Sequence, residues 1–80
     1  MESDKINECL DAMRDDVSPT DRFNAFYYLR TALLKGRAEL DAKQVAQLVK
    51  LAIDGHSSAQ LFALVLLSQA IRNGLSLIHI

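Results

Sequence analysis

The sequence predicts an all-α fold of four helices arranged as two tandem helix pairs. Three observations lead to this prediction. Apolar residues recur at helical spacing in four segments, and residues that begin or end helices lie between those segments. The second half of the chain also repeats the pattern of the first half after 38 residues.

Length and composition limit the chain to one small domain. It has 80 residues, half of them hydrophobic and 24% charged, which excludes disorder and low-complexity linkers. The net charge of −1 argues against nucleic-acid binding, and a single cysteine cannot form an internal disulfide. The longest apolar run has seven residues, far fewer than the ~18 of a membrane span. We therefore expect a cytoplasmic protein with no membrane segment.

The first predicted helix begins near Ser3, a suitable N-cap, and has the negative Asp4 in its first turn. Charged and polar residues occupy most of its surface, so we expect an amphipathic helix that is largely solvated. Its apolar stripe follows the i, i+3, i+4, i+7 pattern and consists of Ile6, Cys9, Leu10 and Met13.

The second predicted helix begins after Ser18, with Pro19 at the first helical position, where a missing N–H costs nothing. It ends at Gly36, a residue suited to a left-handed turn. The third helix begins with the capping-box candidate Asp41 and Gln44, and ends at Gly55. The fourth runs from 57 to 74.

The fourth helix differs from the others because it is apolar around its whole circumference from Leu61 to Leu67. A helix of this kind must be buried on more than one side. A free-standing four-helix protein covers its last helix only in part, whereas a longer stack covers it from both sides. The composition therefore favours a stack that continues beyond this helix.

A shift of 38 residues places positions 3–36 over positions 41–74 without a gap, and seven of the 34 pairs are identical. Average composition gives roughly two or three identities. Repeats of 20–50 residues built from helix pairs are typical of α-solenoids, in which each unit buries its apolar face against its neighbours. The identical pairs are Lys5/Lys43, Leu10/Leu48, Asp16/Asp54, Ala25/Ala63, Leu29/Leu67, Ala32/Ala70 and Gly36/Gly74.

The segment from Asp16 to Arg22, followed by Ala25 and Leu29, resembles the opening of a HEAT-repeat unit. The second copy keeps the Asp, Ala and Leu but lacks the Pro and the Arg, so armadillo-like and other α-solenoids stay open. The resemblance implies that helices two and four are the outer helices, and that helices one and three line the concave side. It also implies that helix one is an N-terminal cap and that a further inner helix follows Gly74.

The final six residues look foreign to the domain. The string Leu75-Ser76-Leu77-Ile78-His79-Ile80 resembles the in-frame translation of a transposase adapter used to build sequencing libraries. We therefore expect a helical-repeat domain over residues 1–74, with repeat copies at 3–36 and 41–74, and a non-native tail at 75–80. On this interpretation the natural protein continues past Gly74.

The sequence offers no catalytic, cofactor or metal site. His56 lies in a turn without a recognisable nucleophile or orienting carboxylate beside it, and Cys9 lies on an apolar stripe between the anionic Glu8 and Asp11. The adjacent Asp15 and Asp16 diverge at a helix end, and a calcium site needs more oxygen ligands. We expect no enzyme activity and no cofactor.

The candidate binding residues are on helices two and three. On a helical wheel Tyr28 falls on an exposed arc of helix two, while Tyr27 groups with Phe23 and Leu34 in a predicted core position. Exposed aromatic side chains are frequent interface hot spots. We predict partner contacts at Tyr28 and at the exposed arc of helix three, formed by Lys43, Gln47, Lys50 and Asp54.

These features predict a non-catalytic scaffold for protein interactions, the N-terminal fragment of a HEAT-like repeat protein that binds a protein or peptide. Two alternatives stay open. One is a complete small helical bundle acting as an adaptor or dimer, and the other is the N-terminal part of a HEAT-like nucleic-acid-modifying enzyme. Because helix 57–74 is apolar all round, we also expect self-association through it.

Overall fold

The computed structural model describes residues 3–74, which form four helices joined by turns, so the prediction of an all-α fold is confirmed. The predicted foreign tail at 75–80 lies outside the described residues. Within the described part of the chain, no helix has the length and apolar character needed to cross a membrane. The helices are α1 Ser3–Asp11, α2 Pro19–Leu34, α3 Ala42–Asp54 and α4 Ser57–Arg72.

Local hydrogen bonds explain where α2 and α3 begin. The Ser18 hydroxyl accepts a bond of 3.3 Å from the backbone N–H of Asp21, and Pro19 occupies the first turn. A complete capping box starts α3. In it the Asp41 carboxylate accepts from the Gln44 N–H at 2.8 Å, and the Gln44 side chain accepts from the Asp41 N–H at 2.9 Å.

α4 begins at Ser57, the predicted first residue. The N-cap is His56, whose side chain makes no capping bond. Its backbone N–H instead donates to both carboxylate oxygens of Asp15 at 3.1 Å. A carboxylate of the first helix pair thus anchors the first residue of the last helix.

Two different physical reasons place glycine at the helix ends. Gly36 and Gly74, which follow α2 and α4, have φ values of 69° and 100°, a region that favours glycine. Gly55, which follows α3, has an ordinary φ of −70°. Glycine is required at this position because the Cβ atom of any other residue would collide with the carbonyl oxygen of Leu51.

We expect Gly55→Ala to lower the free energy of unfolding by about 2 kcal/mol, because the added methyl group forces the backbone at the end of α3 to move. Urea denaturation monitored by circular dichroism measures this loss. Gly36→Ala is the comparison variant: nothing lies within 4 Å of its added Cβ, so it costs only the left-handed backbone strain of about 1 kcal/mol. Equal losses in the two variants would contradict the steric explanation.

The helices form a four-membered ring in cross-section. α1 packs against α2 and α3, and α4 packs against the same two helices, whereas the diagonal pairs α1–α4 and α2–α3 make few contacts. The hydrophobic core fills the centre of this ring. Its largest fully buried apolar side chains are Ile6, Leu10, Met13, Leu29, Leu33, Val45, Leu48 and Leu66.

Two buried polar side chains connect the first helix pair to the second. Gln44 donates to the Ser3 hydroxyl at 3.0 Å and to the Asn7 side-chain oxygen at 3.1 Å, which joins α3 to α1. Arg22, on α2, donates to the Ser58 hydroxyl of α4. Because buried polar groups are costly unless paired, these bonds fix how the two pairs stack.

The prediction that Tyr27 is a core residue is wrong: its side chain is 57% exposed, and Phe23 and Leu34 are exposed as well. The buried face of α2 runs through Leu29, Ala32 and Leu33 instead. The difference arises because α2 packs mainly on α1 and α4. Within residues 3–74, no helix therefore covers an apolar residue on its outer side.

Candidate functional site

The exposed arc predicted on α3 forms part of a groove between α3 and the turn that follows α1, which we call the α1–α3 groove. Gln47, Lys50 and Asp54 line this groove, which has a volume of about 300 Å³. Lys43 is exposed on the same helix but is not among the lining residues. The other lining residues are Arg14, Asp15, Leu51 and Gly55.

The α1–α3 groove carries charges of both signs. Lys50 and Arg14 are cationic, while Asp15 and Asp54 are anionic. Gln47 donates to a side-chain oxygen of Asp11 at 3.3 Å, which joins α3 to α1. This mixture of charges offers no continuous positive track for a phosphate backbone.

Tyr28 lies in a different groove, between α1 and α2, so the structure does not bring it together with the α3 arc. This groove is larger, about 470 Å³, and Tyr28 is half exposed within it. The Lys5 ammonium lies 5.3 Å from the centre of the Tyr28 ring, which is a cation–π distance. The remaining lining residues are Tyr27, Thr31, Ala32, Lys35 and Arg37.

A third surface is apolar and lies on α4. Leu61, Leu64 and Ile71 are each about half exposed, and at 100° per residue they lie within an arc of about 80° of that helix. On α3, Ile53 is 72% exposed. We call Leu61, Leu64 and Ile71 the open face. The sequence predicts incomplete cover for six α4 residues, Leu61, Phe62, Leu64, Val65, Leu66 and Leu67. Leu61 and Leu64 are exposed and Phe62, Val65 and Leu67 are partly buried, but the prediction for Leu66 is wrong, because it is fully buried in the core. The exposure of Ile53 and Ile71 was not predicted.

The residues considered for catalysis do not form a site. Cys9 is buried, and burial raises the pKa of its thiol, which disfavours the thiolate; Lys5 lowers this pKa and Glu8 raises it by smaller amounts. His56 is exposed; its backbone N–H donates to Asp15, and its carbonyl accepts from the N–H of Ala59. Among the described residues, no three His, Cys, Asp or Glu side chains are grouped so that they could hold a metal ion.

Comparison with protein-family models, with curated proteins and with solved structures gave no match to this chain.

The exposure of Ile53 and Ile71 could have been predicted from the 38-residue period of the sequence. Ile53 and Ile71 occupy the positions of Asp15 and Leu33 in the second copy. In the first copy both residues bond to the second pair: the Asp15 carboxylate accepts from His56, and the Leu33 carbonyl accepts from Asn73 at 2.7 Å. Asp15 and Leu33 thus make contacts between the two helix pairs, whereas the equivalent residues in the second copy, Ile53 and Ile71, are exposed.

Proposed function

We propose that the chain is two units of a HEAT-like α-solenoid and acts as a non-catalytic scaffold for protein interactions. The supporting observation is that a 38-residue shift superposes the bounds of α2, Pro19–Leu34, on those of α4, Ser57–Arg72. The positive-φ glycines that follow the two helices, Gly36 and Gly74, are also 38 residues apart. Each unit is then a helix pair followed by the same turn.

The same shift relates the inner contacts of the stack to the open face. Phe26 of α2 stacks on Phe62 of α4 with ring centres 4.2 Å apart, and Phe23 lies 6.2 Å from the same ring. One repeat later, these two positions hold Leu64 and Leu61, both exposed. The α4 residues that would meet a following helix pair are therefore apolar and uncovered.

The order of helices around the ring also supports stacked pairs. In an up-and-down four-helix bundle, α2 would pack beside α3 and α1 beside α4. Here those two pairs make few contacts, while α1 packs beside α3 and α2 beside α4. Equivalent helices of the two copies are thus neighbours, as repetition along an axis requires.

The mechanism that follows is surface presentation. Two rigid helix pairs hold the α1–α3 groove and the open face in fixed positions, so that a protein partner is bound through many weak contacts. The partner contacts proposed on α3 are Lys43, Gln47, Lys50 and Asp54, with Tyr28 as a separate aromatic anchor on α2. The open face serves a different purpose, because it accepts another apolar helix pair.

Insertion of a second copy of residues 37–74 directly after Gly74 tests this proposal. In a solenoid the inserted pair stacks on the open face, and we expect the free energy of unfolding to rise by at least about 3 kcal/mol in one cooperative transition. Urea denaturation measures both the free energy and the m-value, which should increase with the larger buried surface.

The control carries the same insertion together with Leu64→Asp in the first α4, which places a charge where the inserted pair should pack. We expect this variant to lose most of the gain. If the inserted segment leaves the free energy and the m-value unchanged, or melts as a separate unit, the four helices form a closed bundle and the solenoid proposal is wrong.

A further inference from the structure

The groove between α1 and α2 lies at the end of the stack opposite the open face. In the second copy, the position of Tyr28 is held by Leu66, which is fully buried. The position of Lys35 is held by Asn73, whose side chain donates to the Leu33 carbonyl of the preceding helix pair. The groove thus corresponds to a surface that a helix pair covers one repeat later.

The side chains at this end do not suit another apolar helix pair. Tyr28 occupies the position of the buried Leu66 in the second copy, and Lys35 occupies that of the hydrogen-bonded Asn73. The Lys5 ammonium lies over the Tyr28 ring. Burying two ammonium groups under an apolar helix would cost several kcal/mol for each charge. The groove therefore selects a ligand that supplies negative charge.

The lining residues, all in the described part of the chain, include cationic side chains on both sides and no carboxylate. Lys5 comes from α1 and also pairs with Glu8, outside the groove, at 3.5 Å. Lys35 follows the end of α2, about 10 Å along the helix axis from Tyr28 at 1.5 Å per residue. Between them lie Tyr28 and the Thr31 hydroxyl.

We infer that this groove binds an acidic peptide segment, with carboxylates at Lys5 and Lys35 and the peptide packed on the Tyr28 ring. The inference rests on the proposed repeat, through which the groove corresponds to a covered surface, and on the proposed binding role of Tyr28. Charge complementarity supports it, because Lys5 and Lys35 line the groove and no carboxylate is among its lining residues. Two lysines are too few to follow the regularly spaced phosphates of a nucleic acid.

The test is fluorescence anisotropy of the 80-residue chain with a labelled hexaglutamate peptide. We expect binding that weakens at least about fivefold when the salt concentration rises from about 50 to about 300 mM, because the contacts are exposed charge pairs. The double variant Lys5→Glu/Lys35→Glu should weaken binding by at least about tenfold, and Tyr28→Ala by about three- to fivefold.

The matched control is Arg30→Glu/Arg72→Glu, which changes the net charge by the same amount at exposed positions of α2 and α4 that do not line this groove. It should bind the peptide within about twofold of the wild-type affinity. An equal loss in both double variants would show a general charge effect and overturn the inference, as would no binding of the peptide at all. Tighter binding of a labelled oligothymidine would assign the groove to nucleic acid instead. The insertion after Gly74 is independent of these lysines, so the two proposals fail separately.

Discussion

Replacement of Arg22 by methionine is expected to lower the free energy of unfolding by about 3 kcal/mol, a large part of the stability of a domain of this size. Arg22 is only 6% exposed, and its guanidinium joins three segments of the chain. It donates to the Ser58 hydroxyl at 2.6 Å, to the Val17 carbonyl at 2.9 Å and to the Asp15 carbonyl at 3.2 Å.

The loss is large because methionine fills most of the volume but leaves these acceptors without their donor. A buried acceptor that loses its partner costs about 1–3 kcal/mol. Part of the loss is offset, because the buried guanidinium is itself imperfectly satisfied: its Nε atom has no hydrogen-bond partner among the described residues. Lysine at this position keeps the charge but not the planar fork, so Arg22→Lys should cost about 2 kcal/mol.

Arg30→Met is the matched control, because Arg30 lies on the same helix and is exposed. We expect its effect to stay within about 0.5 kcal/mol. Urea denaturation of the three variants at one protein concentration, with equal m-values, gives the comparison. A loss below about 1 kcal/mol for Arg22→Met would show that the guanidinium does not hold the two helix pairs together.

The helices were predictable because their signals are local. Residues that begin a helix act on backbone groups within one helical turn of their own position. The structure has the predicted capping bonds at Ser18 and at the Asp41–Gln44 pair, and Pro19 lies in the first turn of α2. His56 was not predictable as an N-cap, because its N–H is satisfied by Asp15, 41 residues earlier in the chain. A bond of that kind depends on packing, which periodicity does not encode.

The candidate surfaces also divide into features that the local sequence pattern predicts and features that depend on how the helices pack. A helical wheel identifies Gln47, Lys50 and Asp54 as one arc, and the structure places them along one groove. It cannot tell which apolar residues of α2 are covered, because this depends on which helices are its neighbours, and the position of Tyr27 was therefore mispredicted. The groove at Tyr28 needs Lys5 from another helix and was not visible in the pattern of α2 alone.

The open face should also determine the association state of the isolated protein. Leu64 is 51% exposed, and together with Leu61 and Ile71 it presents an apolar surface with no helix over it. We expect the protein to self-associate at concentrations of about 100 µM, since exposed apolar patches of a few hundred Å² promote association. Leu64→Asp should shift it to a monomer, raising the dissociation constant by at least about tenfold because a carboxylate would be buried in the contact.

Leu34→Asp is the control for this experiment, because Leu34 is also 51% exposed on a helix of equal length but lies outside the open face. Sedimentation equilibrium of the wild type and both variants should show association that only Leu64→Asp removes. A monomeric wild type at high concentration would mean that the α4 leucines need no cover. Equal effects of the two substitutions would mean that association depends on general hydrophobicity. A defined dimer that Leu64→Asp dissociates, combined with no gain from the inserted pair, would instead favour a self-contained dimeric bundle.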